Sequence, residues 1–115
     1  MKNNYTIGVI GGGSWATAIV KILQEHNRLN WWLRSQDQQN HITQFKHNPK
    51  YLSSAVIDIA KVKLFVNINE LINSSDILIV AIPSEFIHNI FKNIPYKILN
   101  GKIIVSAVKG IIPQQ

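Results

Sequence analysis

Three consecutive glycines, Gly11-Gly12-Gly13, stand between a short apolar run and an amphipathic stretch near the start of the chain. The run before them, Thr6-Ile7-Gly8-Val9-Ile10, reads as a buried strand. The stretch after them, Ser14 to Glu25, carries Trp15, Ala18, Ile19, Ile22 and Leu23 at helical spacing, with Ser14 available as a cap. In the pattern Gly11-x-Gly13-x-x-Ala16 each position has a task. Gly11 lets the chain turn sharply out of the strand, Gly13 lets a pyrophosphate approach the backbone, and Ala16 lets the helix pack tightly on the strand. The start of the helix adds free N–H groups and a positive dipole end. A merely structural strand-to-helix turn would use the same glycines; the context of strand, turn and helix favours a dinucleotide site.

The rest of the chain repeats the alternation. Leu29 to Leu33 predicts a second strand, Ser35 to Lys46 a polar surface helix with Ile42 and Phe45 on one side, and Val62 to Val66 a third strand. Between them, His47 to Asp58 holds Asn48-Pro49 and Ser53-Ser54 and reads as loop. Ile68 to Asn73 predicts a short helix, and Asp76 to Ile82 a strand stopped by Pro83. Ser84 to Ile94 predicts a helix with Phe86, Ile87, Ile90 and Phe91 on one face, and Lys102 to Val108 a fifth strand closing at Lys109-Gly110. Strands alternating with helices imply an α/β fold of Rossmann type: a doubly wound, mainly parallel sheet covered on both faces.

The length of 115 residues suits a single domain. The absence of cysteine excludes disulfides, thiolate metal sites and cysteine nucleophiles. Twelve basic residues face six acidic ones, for a net charge of +6. The lysines are scattered and no basic stripe alternates with aromatics, so a solvated surface is expected and nucleic acid is not. The apolar run before the glycines is too short for a signal core or a membrane span. No membrane insertion is expected, and the cytoplasm is the expected compartment.

The end of the second strand should lie near the adenosine ribose, where an acid usually binds the 2′-hydroxyl of NAD. This chain has Trp31-Trp32-Leu33-Arg34-Ser35 instead. Arg34 suits stacking on adenine or binding the 2′-phosphate of NADP; the alternative is an exposed surface arginine. Lys109 ends the fifth strand, on the edge where ligands of open α/β sheets collect, and its charge suits a phosphate. Trp15 fits core packing as well as a ligand contact.

Several segments together resemble a known family. Gly11-Gly12-Gly13-Ser14-Trp15-Ala16-Thr17-Ala18 looks like the opening motif of bacterial NAD(P)-dependent glycerol-3-phosphate dehydrogenases. Trp32-Leu33-Arg34, His47-Asn48-Pro49-Lys50-Tyr51-Leu52, Asp76 through Ser84, and Val105 through Ile111 resemble further segments of that family, in its order. The resemblance implies that residues 1–115 form the NAD(P)-binding Rossmann domain, with NADP or NAD as cofactor. It implies cofactor contacts from Ser14 and Trp15 and from Arg34 at the adenosine end. Lys109 would touch both cofactor and glycerol phosphate, and the backbone at Pro83-Ser84 would line the nicotinamide side. The implied activity is reduction of dihydroxyacetone phosphate to sn-glycerol 3-phosphate, feeding phospholipid synthesis.

The family's catalytic lysine sits in a second, helical substrate domain, which these residues do not contain. The chain is therefore expected to be a truncated form that carries no catalytic residue and no metal site, and that binds cofactor without turnover. A homodimer of the full-length protein is left open. Two other readings stay open: a Rossmann dehydrogenase acting on a hydroxy acid or sugar nucleotide, and a non-catalytic nucleotide-binding fragment.

Overall fold

The computed structural model describes residues 5–48 and 56–107. Five strands alternate with four helices: β1 (Ile7–Ile10), α1 (Ser14–Leu23), β2 (Leu29–Trp32), α2 (Gln36–Phe45), β3 (Val62–Phe65), α3 (Ile68–Asn73), β4 (Ile77–Val80), α4 (Ser84–Phe91) and β5 (Ile103–Ser106). The strands form one parallel sheet in the order β3-β2-β1-β4-β5. The chain thus winds outward from β1 through β2 to β3, then returns to lay β4 against the other side of β1. The reversal leaves a crevice beyond the carboxyl ends of β1 and β4, where sheets of this topology bind ligands. Ile10 pairs in register with both Trp32 and Val80, so the loops after three strands leave the sheet at one level.

Strand periodicity sorts the core into two layers. Val9 and Trp31 face one side with Val20, Leu33 and Ile42; Ile10 and Trp32 face the other with Leu71, Leu78 and Val80. This is the doubly wound arrangement expected. Each of the expected strands and helices is present, with bounds shifted by a few residues.

Four local expectations need correction. Gly13, not Ser14, occupies the cap position of α1, and no side chain caps that helix. The inner stripe of α1 is Ala16, Thr17 and Val20; Trp15 and Ile22 lie outside it and are exposed. The helix is apolar on nearly every side, so spacing alone does not orient it. On α2 the inner residues are Gln38, Gln39 and Ile42, while Phe45 is 53% exposed and packs its ring on His41 at 4.6 Å between centroids. Gln39 Nε2 donates to the carbonyl of Leu33 at 3.0 Å, which lets a polar side chain face the sheet. Finally, α4 stops at Phe91, and Pro95 leads into a single 3-10 turn, Tyr96–Leu99.

The sheet is not covered throughout. Every residue of β5 is exposed, Ile103, Ile104 and Val105 among them. Among the described residues no helix follows β5, and Ile103, Ile104 and Val105 are each about half exposed.

Candidate functional site

The glycine turn owes its path to two close approaches. Gly11 has φ of 137°, a value L-residues rarely adopt, and its missing Cβ leaves room for the carbonyl of Ala81. Its N–H donates to Trp32 O at 3.0 Å, which ties the turn to the end of β2. At Gly13 the situation is the reverse. A Cβ built there would meet nothing within 4 Å, so the backbone faces open space. Within the turn, Gly11 is the position where the fold itself forbids a side chain.

A cleft of about 250 Å³ opens at this point. The glycine turn forms its floor, with Arg34 on the β2 side and Pro83 and Phe86 on the β4 side. A second hollow continues from it past Trp32, Arg34 and Phe86 toward Ile68 and Asn89. The cleft therefore sits at the reversal of strand order and combines backbone, one guanidinium and an aromatic wall.

Side chains buried behind the turn fasten it. Trp31 Nε1 donates to Gly11 O at 2.6 Å. Asn48 Nδ2 donates to Gly12 O and to Thr17 Oγ1, both at 3.0 Å, and its Oδ1 accepts from Gln38 Nε2 at 3.1 Å. Thr17 Oγ1 donates to Gly13 O at 2.7 Å. Trp31, Asn48 and Thr17 are each 0% exposed. Among the described residues no hydrogen bond uses the N–H of Gly12, Gly13 or Ser14.

Of the residues singled out in the sequence, Gly11, Gly13, Arg34 and Pro83 come together around the cleft. Ser14 is exposed at the uncapped first turn of α1. Trp15 is 49% exposed, and its indole N–H donates to the carbonyl of Ala107 just beyond β5. Core packing of Trp15 is thereby excluded. Lys109 and the Pro49-to-Leu52 part of the family-like loop lie outside the described residues. Sequence reasoning assigned no role to Gln38, Asn48 or Thr17. The available signals were the Asn-Pro pair inside a segment read as loop and the family-like segments that contain Thr17 and Asn48.

Known proteins share both the sequence and this architecture. Residues 6–115 match the family described as the NAD-dependent glycerol-3-phosphate dehydrogenase N-terminus. The chain is similar to the glycerol-3-phosphate dehydrogenase (NAD(P)+) of Pseudomonas fluorescens strain Pf-5, at 34% identity over 99% of this chain and 33% of that protein. It therefore spans about a third of the length of that relative. Among solved structures, glycerol-3-phosphate dehydrogenase of Plasmodium falciparum superposes with a TM-score of 0.81 at 22% identity, over 96% of this chain and 34% of the other. The Coxiella burnetii glycerol-3-phosphate dehydrogenase gives 0.80 at 18% identity, over the same shares. At these identities the structural likeness speaks for the fold.

Proposed function

This chain belongs to the family of the NAD-dependent glycerol-3-phosphate dehydrogenase N-terminus, and on that premise we propose that it holds NADP or NAD in the cleft at the glycine turn. The observation that carries the reading is the coincidence of three features at one reversal of strand order. They are an open backbone at Gly13, an uncapped helix start, and Arg34 on the rim. The residues fit such a cofactor. Pyrophosphate oxygens suit the N–H groups and dipole at the start of α1. Arg34 suits the adenosine end and offers paired donors to a 2′-phosphate. Ser14 and Trp15, at the first turn of α1, are proposed as further cofactor contacts, and the backbone at Pro83 as part of the nicotinamide side.

The cofactor, when bound, supplies the hydride; the residues of this chain bind and orient it. We assign to the whole protein the reduction of dihydroxyacetone phosphate to sn-glycerol 3-phosphate, for phospholipid synthesis in the cytoplasm. Lys109 is proposed to meet the phosphate of that substrate. The described residues hold no group of three or more His, Cys, Asp or Glu able to bind a metal, and none of their helices is long and apolar enough to cross a membrane. Hydride transfer needs the substrate carbonyl fixed against the nicotinamide and a group that protonates the alkoxide. Neither is evident among the described residues, and we place both outside this chain.

The test follows oxidation of NADPH and NADH with dihydroxyacetone phosphate, for the 115-residue chain and for a full-length member of the family. Turnover by the full-length protein and none by the short chain is expected. Substantial turnover by the short chain, abolished by Lys109→Ala, would overturn this division of labour.

A further inference from the structure

We propose that Trp31, Asn48 and Thr17 are positioning residues that hold the glycine turn in its phosphate-binding form before any ligand arrives. The inference rests on the reading of the turn as a dinucleotide site and explains how that site keeps its shape. Three successive carbonyls, those of Gly11, Gly12 and Gly13, each accept a hydrogen bond from a different buried side chain. The described chain contains no cis peptide bond. In a trans peptide the C=O of one residue and the N–H of the next point in opposite directions. Fastening the three carbonyls inward therefore turns the N–H groups of Gly12, Gly13 and Ser14 outward together. Successive N–H groups that converge in this way form an anion-binding concavity.

The donors come from separate parts of the chain: β2 supplies Trp31, α1 supplies Thr17, and Asn48 reaches in from beyond α2. Gln38 of α2 supports the middle of the array through Asn48 Oδ1. Such convergence has a physical purpose in a run of glycines. Glycine has the widest choice of backbone conformations, so an unfastened turn would spread over many of them. The apparent affinity for a ligand falls with the fraction of molecules in the competent conformation. Three buried donors keep that fraction high without placing a side chain where the phosphates lie.

The decisive variant is Thr17→Val, which keeps the branched shape in a fully buried site and removes both the side-chain donor to Gly13 O and the acceptor of Asn48 Nδ2, leaving only the Thr17 backbone N–H on Gly13 O. Thr17→Ser retains the hydroxyl, and Trp31→Phe removes the donor to Gly11 O in a second place. The full chain and these variants are titrated with NADPH and, separately, with adenosine 2′-monophosphate, which carries no pyrophosphate. Circular dichroism checks folding in parallel. Thr17→Val and Trp31→Phe are expected to bind NADPH about 3- to 10-fold more weakly, the scale of one or two lost hydrogen bonds. Their affinity for adenosine 2′-monophosphate should stay unchanged, and Thr17→Ser should return NADPH affinity toward that of the unmodified chain.

Folded variants that bind NADPH as well as the unmodified chain would overturn the positioning role and leave the site itself standing. Equal losses toward both nucleotides would overturn it too, because they would mark a general structural defect. Failure of the unmodified chain to bind NADPH at all would overturn the dinucleotide site, and the positioning role with it.

Discussion

The backbone of Gly11 runs so close to the carbonyl of Ala81 that a Cβ on Gly11 would overlap that oxygen. This approach joins the turn after β1 to the end of β4, with Ala81 N donating to Ile10 O at 2.9 Å alongside. Gly11→Ala combines the clash with a φ of 137°. It is expected to lower unfolding stability by about 2 kcal/mol or more. Urea unfolding followed by circular dichroism measures this; a change below about 0.5 kcal/mol would contradict the geometry.

Arg34 is exposed on the rim of the cleft and belongs to the part that continues past Trp32. If it meets the 2′-phosphate, Arg34→Ala removes a charge-assisted contact that NADPH makes and NADH cannot. Affinity for NADPH should fall by about tenfold or more, with NADH affected far less. Titrations at a single ionic strength compare the two. Equal losses would show that Arg34 acts on the adenine or on the phosphates common to both.

The edge strand β5 and the inner strand β4 should respond differently to substitution. Leu78 is fully buried, and Leu78→Ala is expected to cost about 2–5 kcal/mol. Ile104 pairs with Leu78 in register yet is 50% exposed, so Ile104→Lys should change the stability of the 115-residue chain by less than about 0.5 kcal/mol. Denaturant midpoints for the pair report the contrast. A large loss at Ile104 would mean that β5 is covered in solution.

The contrast between these strands also shows what the sequence made legible. Asp76 to Ile82 is an almost unbroken apolar run, broken only by Asp76 at its start, and burial of β4 between two helical layers follows from it. Ile103 to Val105 looks the same on paper but stands at an open edge, because burial depends on neighbours that no local pattern records. The glycine turn could be read because Gly11 and Gly13 mark backbone needs directly. The fastening behind it could not. Gln38 sits on a polar helix, and Asn48 sits in a segment that resembles ordinary loop. Their burial becomes visible only when α1, α2 and β2 are assembled around the turn. Orienting α1 failed for a related reason: with apolar residues nearly all round, the partner surface and not the helix decides which stripe turns inward.

Gly13 offers the most direct test that the cleft holds a dinucleotide. Nothing lies within 4 Å of a Cβ built at this position, so Gly13→Val should fold normally while filling the space that a pyrophosphate needs. NADPH is titrated into the unmodified chain and into Gly13→Val, with nicotinamide fluorescence as the signal and circular dichroism as the folding control. Saturable binding by the unmodified chain, weakened at least about tenfold in a well-folded Gly13→Val, is the result expected. Undiminished binding by the folded variant would contradict the assignment of the site.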